Sequence, residues 1–125
     1  MAYRELQRIT LVKHNINYKN TGAILLFTTP PEAYASTRKV YIEATNVGTS
    51  PTSGTFSIGT NSTSYNNILT STSSSFTNGS SSRINFNFGT SIPQNTDIYM
   101  NITSSGTATG NYILSLFMEM YIYSL

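Results

Sequence analysis

The chain has 125 residues, of which 38% are hydrophobic and 10% are charged, against about 25% charged in an ordinary globular protein. This composition predicts one folded domain with a hydrophobic core and excludes wholesale disorder. The formal net charge is +2 and the chain has no cysteine, which excludes disulfides, thiolate nucleophiles and cysteine zinc sites.

The N-terminal segment is basic. Residues 1–20 hold one acid, Glu5, and four bases: Arg4, Arg8, Lys13 and Lys19. We predict a basic N-terminal arm over residues 1–21 and a β-sandwich domain over residues 22–125. An arm of this kind would dock on an acidic surface, and the alternative is an ordinary solvated first strand. Four bases mixed with apolar residues make a small phosphate footprint, so no nucleic-acid partner is expected.

The rest of the chain has the period of β-strands. Only residues 2–9 have helix-forming composition, and they are too few for an isolated helix. Apolar runs and apolar–polar alternation predict strands over residues 23–28, 38–45, 54–60, 82–90, 96–103 and 111–124. In the second of these strands, Val40, Ile42 and Ala44 share one face, and Lys39, Tyr41 and Glu43 share the other.

The last strand is apolar on both faces. Such a strand lies at the centre of a sheet or against a neighbouring subunit. We therefore predict a subunit interface that includes Phe117, Tyr121 and Tyr123.

Turns rich in Gly, Pro, Asn and Ser separate these segments. Seven or eight short strands with almost no helix predict an all-β fold, an antiparallel β-sandwich of jelly-roll or immunoglobulin-like type with an N-terminal extension.

Residues 62–82 contain no charged residue and are mostly Ser, Thr and Asn. They predict a long neutral loop whose tip, residues 70–82, protrudes. Within this loop Tyr65, Asn66 and Asn67 are predicted to make contacts with a sugar or a protein neighbour, because Tyr and Asn form adaptable contact surfaces of low charge.

Residues for catalysis are scarce. The chain has one histidine, His14, one aspartate, Asp97, and four glutamates far apart in sequence. No nucleophile elbow, phosphate-binding loop or metal-binding motif is present. We predict a protein that is not an enzyme and that has no catalytic residues, no cofactor and no metal.

Four segments together resemble a group of small bacteriophage virion proteins. They are "SIGTN" at residues 57–61, "YNNI" at 65–68, "IPQNTDIY" at 92–99 and the apolar strand at 112–123. The resemblance covers roughly the C-terminal two-thirds of the chain. It implies a β-sandwich module of a phage particle, used as an auxiliary (decoration) capsid protein, a head-fibre component or a tail-fibre domain, without catalysis.

The resemblance favours a structural virion protein, most of all a decoration or head-fibre protein attached through its N-terminal arm. The predicted attachment residues are Arg4, Leu6, Arg8, Ile9, Leu11, Lys13 and Lys19. Its partners would be the major capsid protein or another virion protein, and copies of itself, with a trimer preferred. The alternative is a tail-fibre or receptor-binding module whose tyrosine-bearing loops contact a bacterial surface glycan.

The expected location is the outer surface of the virion, after synthesis in the host cytoplasm. The charged first residues do not form a secretory signal, and no run approaches the ~20 apolar residues of a membrane span. No membrane partner is expected.

Overall fold

The computed structural model of the chain describes residues 6–17, 21–46, 52–61, 65–76, 81–104 and 113–124. The described residues form eight β-strands and no helix. The strands are β1 Leu6–Asn17, β2 Gly22–Thr28, β3 Ala33–Asn46, β4 Thr52–Gly59, β5 Leu69–Phe76, β6 Ser81–Ile92, β7 Asp97–Ser104 and β8 Ile113–Ser124.

The strands form two four-stranded sheets. The first sheet has the order β1-β8-β3-β6 and the second the order β2-β7-β4-β5. All their pairs are antiparallel. Because β1 pairs with β8 and β2 pairs with β7, the chain folds into nested long-range hairpins. The predicted antiparallel β-sandwich is therefore confirmed. Of the two predicted types, the strand order is that of an eight-stranded jelly roll.

The core lies between the two sheets. Alternate residues of β7, namely Ile98, Met100 and Ile102, are almost completely buried, as the sequence alternation predicts. In β3, Val40 and Ile42 are buried, and the side chains of Lys39, Tyr41 and Glu43 lie on the opposite face. The largest fully buried side chains come from both sheets: Phe56, Ile42, Ile58, Ile92, Ile98, Met100, Ile102, Leu114 and Leu116.

The basic N-terminal segment is part of the sandwich over residues 6–17. Strand β1 pairs with β8 from Leu6↔Tyr123 to Asn17↔Ile113, with a bulge between Lys13 and Ile16. The sequence left two interpretations of this segment, a docking arm and an ordinary first strand. Over residues 6–17 the structure agrees with the second. The reason is its apolar pattern, since Ile16 is 2% exposed and joins the core. Residues 1–5 and 18–20 lie outside the described residues.

The predicted long loop over residues 62–82 is wrong. Strand β5 occupies Leu69–Phe76 and pairs with β4, for example through Thr55↔Ser73, and β6 begins at Ser81. A run of Ser and Thr lacks the apolar alternation by which strands are recognised. Since β5 ends the order of the second sheet, backbone pairing with β4 and the burial of Ile68 and Leu69 hold it in place.

Candidate functional site

The outer face of the first sheet is rich in aromatic side chains. In β8 the residues Leu114, Leu116, Met118 and Met120 point into the core and are fully buried, so the alternate residues point outward. We define the aromatic face by five outward, partly exposed residues, three from β8 and two from the neighbouring β3: Phe117, Tyr121, Tyr123, Tyr34 and Tyr41. An antiparallel sheet usually turns a polar face to solvent, so an aromatic face indicates a contact surface.

Register pairs arrange these rings. Tyr41 lies opposite Phe117 and Tyr34 lies opposite Tyr123. The first pair is stacked with 4.7 Å between ring centroids and the second with 5.1 Å. Stacked pairs of this kind contribute about 0.5–1.5 kcal/mol beyond their buried area, so the rings are held in place before any partner binds.

A bulge in β3 adds a cation to the face. The pairing of β3 with β8 shifts between Thr37 and Lys39, which leaves Arg38 outside the regular ladder. The guanidinium carbon of Arg38 lies 5.0 Å from the centre of the Tyr121 ring. This is cation–π geometry, in which the arginine keeps its charge available at the surface.

His14 completes one end of the aromatic face. Its Nδ1 lies 2.9 Å from Ser115 Oγ, and its ring meets Phe117 edge-on with 6.4 Å between centroids.

The single aspartate, Asp97, is on β7 in the other sheet. The described residues contain no group of three or more His, Asp or Glu side chains that could hold a metal ion. Nor do they include a helix long and apolar enough to cross a bilayer.

Glu119 links β8 to both neighbouring strands on the outer face of the first sheet. Its carboxylate accepts a hydrogen bond from the Arg8 guanidinium of β1, and the Lys39 ammonium of β3 lies 3.2 Å from it. The hydrogen bond from Arg8 has the largest effect and lowers the pKa of Glu119 below its ordinary value of 4.5. Burial acts in the opposite direction, and the hydrogen bond from Lys39 lowers the pKa further. The pairing of Arg8 with Glu119 raises the pKa of Arg8.

The lowered pKa of Glu119 predicts a loss of stability in acid. Since the carboxylate is more acidic in the folded protein than in the unfolded chain, its contribution is complete above about pH 4.5 and disappears as the pH falls through the folded pKa. In urea titrations between pH 7 and pH 3, Glu119→Gln should therefore lose less stability than the wild type below pH 4.5. Glu43→Gln, which removes an exposed charge from the same face, is the control. Parallel pH curves for the wild type and Glu119→Gln would contradict the prediction.

The predicted attachment residues of the N-terminal segment do not share one surface. Ile9 and Leu11 are partly buried and pack against the core, so they serve the fold. Lys13 lines a cleft of about 350 Å³ between the end of β1 and the start of β2. Of the two basic attachment residues that the structure describes, Arg8 lies at the aromatic face and pairs with Glu119. The backbone of Leu6 pairs with β8, while Arg4 and Lys19 lie outside the described residues.

The predicted interface residues of β8 all lie on the aromatic face, together with residues that sequence reasoning missed. The missed residues are Tyr34, Arg38 and Tyr41, which belong to β3. The alternation of β3 places Tyr41 on the face away from the core. Nothing in the sequence, however, shows that β3 is the neighbour of β8.

A second cluster lies on the outer face of the second sheet. We call it the tyrosine cluster and define it by Tyr65, Tyr99, Asp97, Thr28 and Leu25. The rings of Tyr65 and Tyr99 contact each other, with 4.9 Å between centroids and a tilt of 56°. Thr28 Oγ1 donates to Asp97 Oδ1 at 2.6 Å, and the Tyr99 hydroxyl donates to Asp97 Oδ2 at 3.4 Å. Leu25 lies opposite Tyr99 in register and is 45% exposed.

The predicted contact residues Asn66 and Asn67 have roles within their own loop. Asn67 Oδ1 accepts from the Thr60 backbone N–H at 2.7 Å, and Asn67 Nδ2 donates to Thr60 Oγ1 at 2.8 Å. The Asn66 backbone N–H donates to Asn61 Oδ1 at 2.9 Å. These bonds hold Tyr65, whose φ is +49°, against the sheet.

No protein-family model and no curated protein matches the chain. Among solved structures, a chain from the acidic stable capsid of Helicobacter pylori bacteriophage KHP30 is similar, with 15% identity, a TM-score of 0.50, and 96% of this chain and 93% of that chain covered. Two infectious bursal disease virus structures, of the Gx and Gt strains, align with 14% and 13% identity and TM-scores of 0.45 and 0.43. These two alignments cover 98% and 97% of this chain, but 33% and 32% of the length of the virus chains. At 15% identity the phage capsid chain shows a shared fold.

Proposed function

We propose that the chain is a structural protein of a bacteriophage virion, an auxiliary (decoration) or head-fibre protein bound to the shell. The observation that carries the proposal is the fold. The two-sheet jelly roll aligns with a chain of a phage capsid over nearly the full length of both. Eight-stranded jelly rolls are a common architecture of viral capsid domains.

The aromatic face supports a role in protein–protein contact. Rigid tyrosine and phenylalanine rings provide large contact areas and lose little conformational entropy on binding. The five rings are already ordered by stacking and by the packing of Arg38 on Tyr121. We propose that this face and the N-terminal residues before β1 attach the protein to the shell.

The charges around the aromatic face indicate what the partner carries. Among the ionic residues on this face whose side chains the structure describes are three cations and two carboxylates: Arg8, Arg38, Lys39, Glu43 and Glu119. Glu119 pairs with Arg8 and Lys39, whereas Arg38 packs against the Tyr121 ring. A protein surface with a carboxylate near apolar side chains would complement this face. The partner is the major capsid protein, another virion protein or a second copy of the chain.

The test is the copy number on purified particles. A decoration protein should be present in hundreds of copies per particle, and a fibre protein in far fewer. Tyr121→Ala and Arg38→Glu should each reduce the bound copies at least about tenfold, as expected for central interface residues. Tyr65→Ala, on the other sheet, is the matched control and should bind normally.

Because β1 is a strand of the fold, the role of the N-terminus is best tested by deleting residues 1–5 alone. Particles that contain none of the protein would contradict the proposal. So would a full copy number with both Tyr121→Ala and Arg38→Glu, provided that thermal melting shows both variants to be folded.

A tail-fibre or receptor-binding module is the second candidate. The tyrosine cluster favours it, because aromatic rings next to a carboxylate suit contact with a sugar. Immunogold labelling of particles separates the two candidates, since label at the tail alone would favour the second.

A further inference from the structure

We propose that the tyrosine cluster on the outer face of the second sheet is a binding site for neutral glycans built from hexoses or N-acetylhexosamines. The proposal goes beyond attachment to a particle, since it concerns a different face and a different ligand. It rests on the geometry of the two rings, the carboxylate and the exposed leucine, and it does not need the aromatic face.

The two tyrosine rings supply the apolar part of the site. A pyranose presents C–H groups on one face, and the π-face of an aromatic ring carries negative potential that attracts them. Tyr65 and Tyr99 are both partly exposed and meet at a 56° tilt, so they form an angled platform rather than a flat one. Leu25, opposite Tyr99 in register, extends the apolar surface on one side.

Asp97 supplies the polar part. An ionised carboxylate only accepts hydrogen bonds, and its two oxygens have about four acceptor positions. Thr28 and Tyr99 each donate one hydrogen bond to Asp97, which orients the group and leaves capacity for the hydroxyl groups of a sugar. Hydrogen bonds to a charged acceptor are about twice as strong as neutral ones.

The site is formed before a ligand arrives. Tyr65 has the uncommon left-handed backbone conformation, and its N–H donates to the Asn61 carbonyl at 3.0 Å. Asn67 fastens the same loop to Thr60. A non-glycine residue held in this conformation by its surroundings is characteristic of functional sites. Preorganisation also reduces the entropy lost on binding.

The charges of the site select among sugars. The cluster contains one carboxylate and no cation, so a sugar acid would be repelled by Asp97 without a compensating base. Burial and the neighbouring Asp97 raise the pKa of the Tyr99 hydroxyl, which therefore stays protonated at neutral pH and remains a donor. The ligand class that fits is a neutral hexose or N-acetylhexosamine chain.

The position of the site suits a particle-bound protein. In a sandwich the two sheets pack through their inner faces, so the aromatic face and the tyrosine cluster point in opposite directions. A protein that attaches through the first sheet would hold the tyrosine cluster away from its support.

The test is a glycan array probed with the full-length protein. It carries oligosaccharides of neutral hexoses and N-acetylhexosamines, and matched oligosaccharides that contain uronic acids. Neutral glycans should bind and the acidic ones should not. Tyr65→Ala and the conservative Asp97→Asn should each reduce the signal at least about tenfold. Tyr123→Ala, an aromatic change on the other sheet, should leave it unchanged.

Three results would overturn the proposal: no neutral glycan binds, only acidic glycans bind, or binding survives both cluster variants. Asp97→Asn keeps the side-chain volume, and its melting temperature checks that the protein is folded. Copy numbers on particles are measured with the same variants. Absence of glycan binding by the wild type together with normal copy numbers would refute this proposal alone, whereas absence of the protein from particles would refute the virion role.

Discussion

Gly59→Ala is expected to destabilise the protein by about 3 kcal/mol or more, because the added methyl group has no room. A Cβ at this position would lie 2.3 Å from Asn67 Oδ1, 2.5 Å from the Tyr65 carbonyl carbon and 2.6 Å from the Asn66 nitrogen. Two of these atoms belong to the backbone and cannot rotate away. The loop that holds Tyr65 would have to leave β4, and its hydrogen bonds to Thr60 would be lost.

Gly22→Ala is the matched control for this change. Gly22 has a φ of +127° but no atom within 4 Å of an added Cβ, so alanine there meets only backbone strain, on the order of 1–3 kcal/mol. Urea unfolding measures the stability of both variants. A Gly59→Ala variant as stable as Gly22→Ala would contradict the close approach of the loop to β4.

Phe56→Ala should cost about 3–5 kcal/mol, the usual range for removing a buried phenylalanine ring. Phe56 lies on β4 between β5 and β7 and is fully buried among the core residues. Its removal leaves a cavity at the centre of the sandwich, which neighbouring side chains fill only in part. For a domain of this size the loss is a large fraction of the total free energy of unfolding.

Val12→Ala is the control for the loss of an apolar side chain at the surface. Val12 is 39% exposed on β1, and surface substitutions of this kind usually change stability by less than about 0.5 kcal/mol. Chemical denaturation with a common m-value should separate the two variants clearly. Similar midpoints for Phe56→Ala and Val12→Ala would show that Phe56 is not in the core.

The sequence was informative wherever one strand face is buried and the other is not. The alternation in β3 and β7 reveals which residues point inward because those strands lie inside their sheets. The same rule fails for β5, whose Ser and Thr residues carry no period. The same rule could not decide whether residues 6–17 form a strand of the sandwich or a docking arm, because an arm could also mix charged and apolar residues.

The candidate surfaces were predictable only in part. Phe117, Tyr121 and Tyr123 follow from the two apolar faces of β8, and Tyr65 follows from its loop. Their partners come from strands far away in sequence, since Tyr41 lies on β3 and Tyr99 on β7. Such pairs depend on the order of strands in a sheet, which local patterns do not contain.

The pairing of the first strand with the last has a consequence for synthesis. During translation β1 leaves the ribosome about 100 residues before β8, which at about 5–20 residues per second is an interval of roughly 5–20 s. During this interval β8, the strand with which β1 pairs, is not yet present. The backbone N–H and C=O groups along that edge of β1 are therefore unpaired. A nascent chain that stops before residue 113 would lack β8 and would leave the edge of β1 open to pairing with another chain.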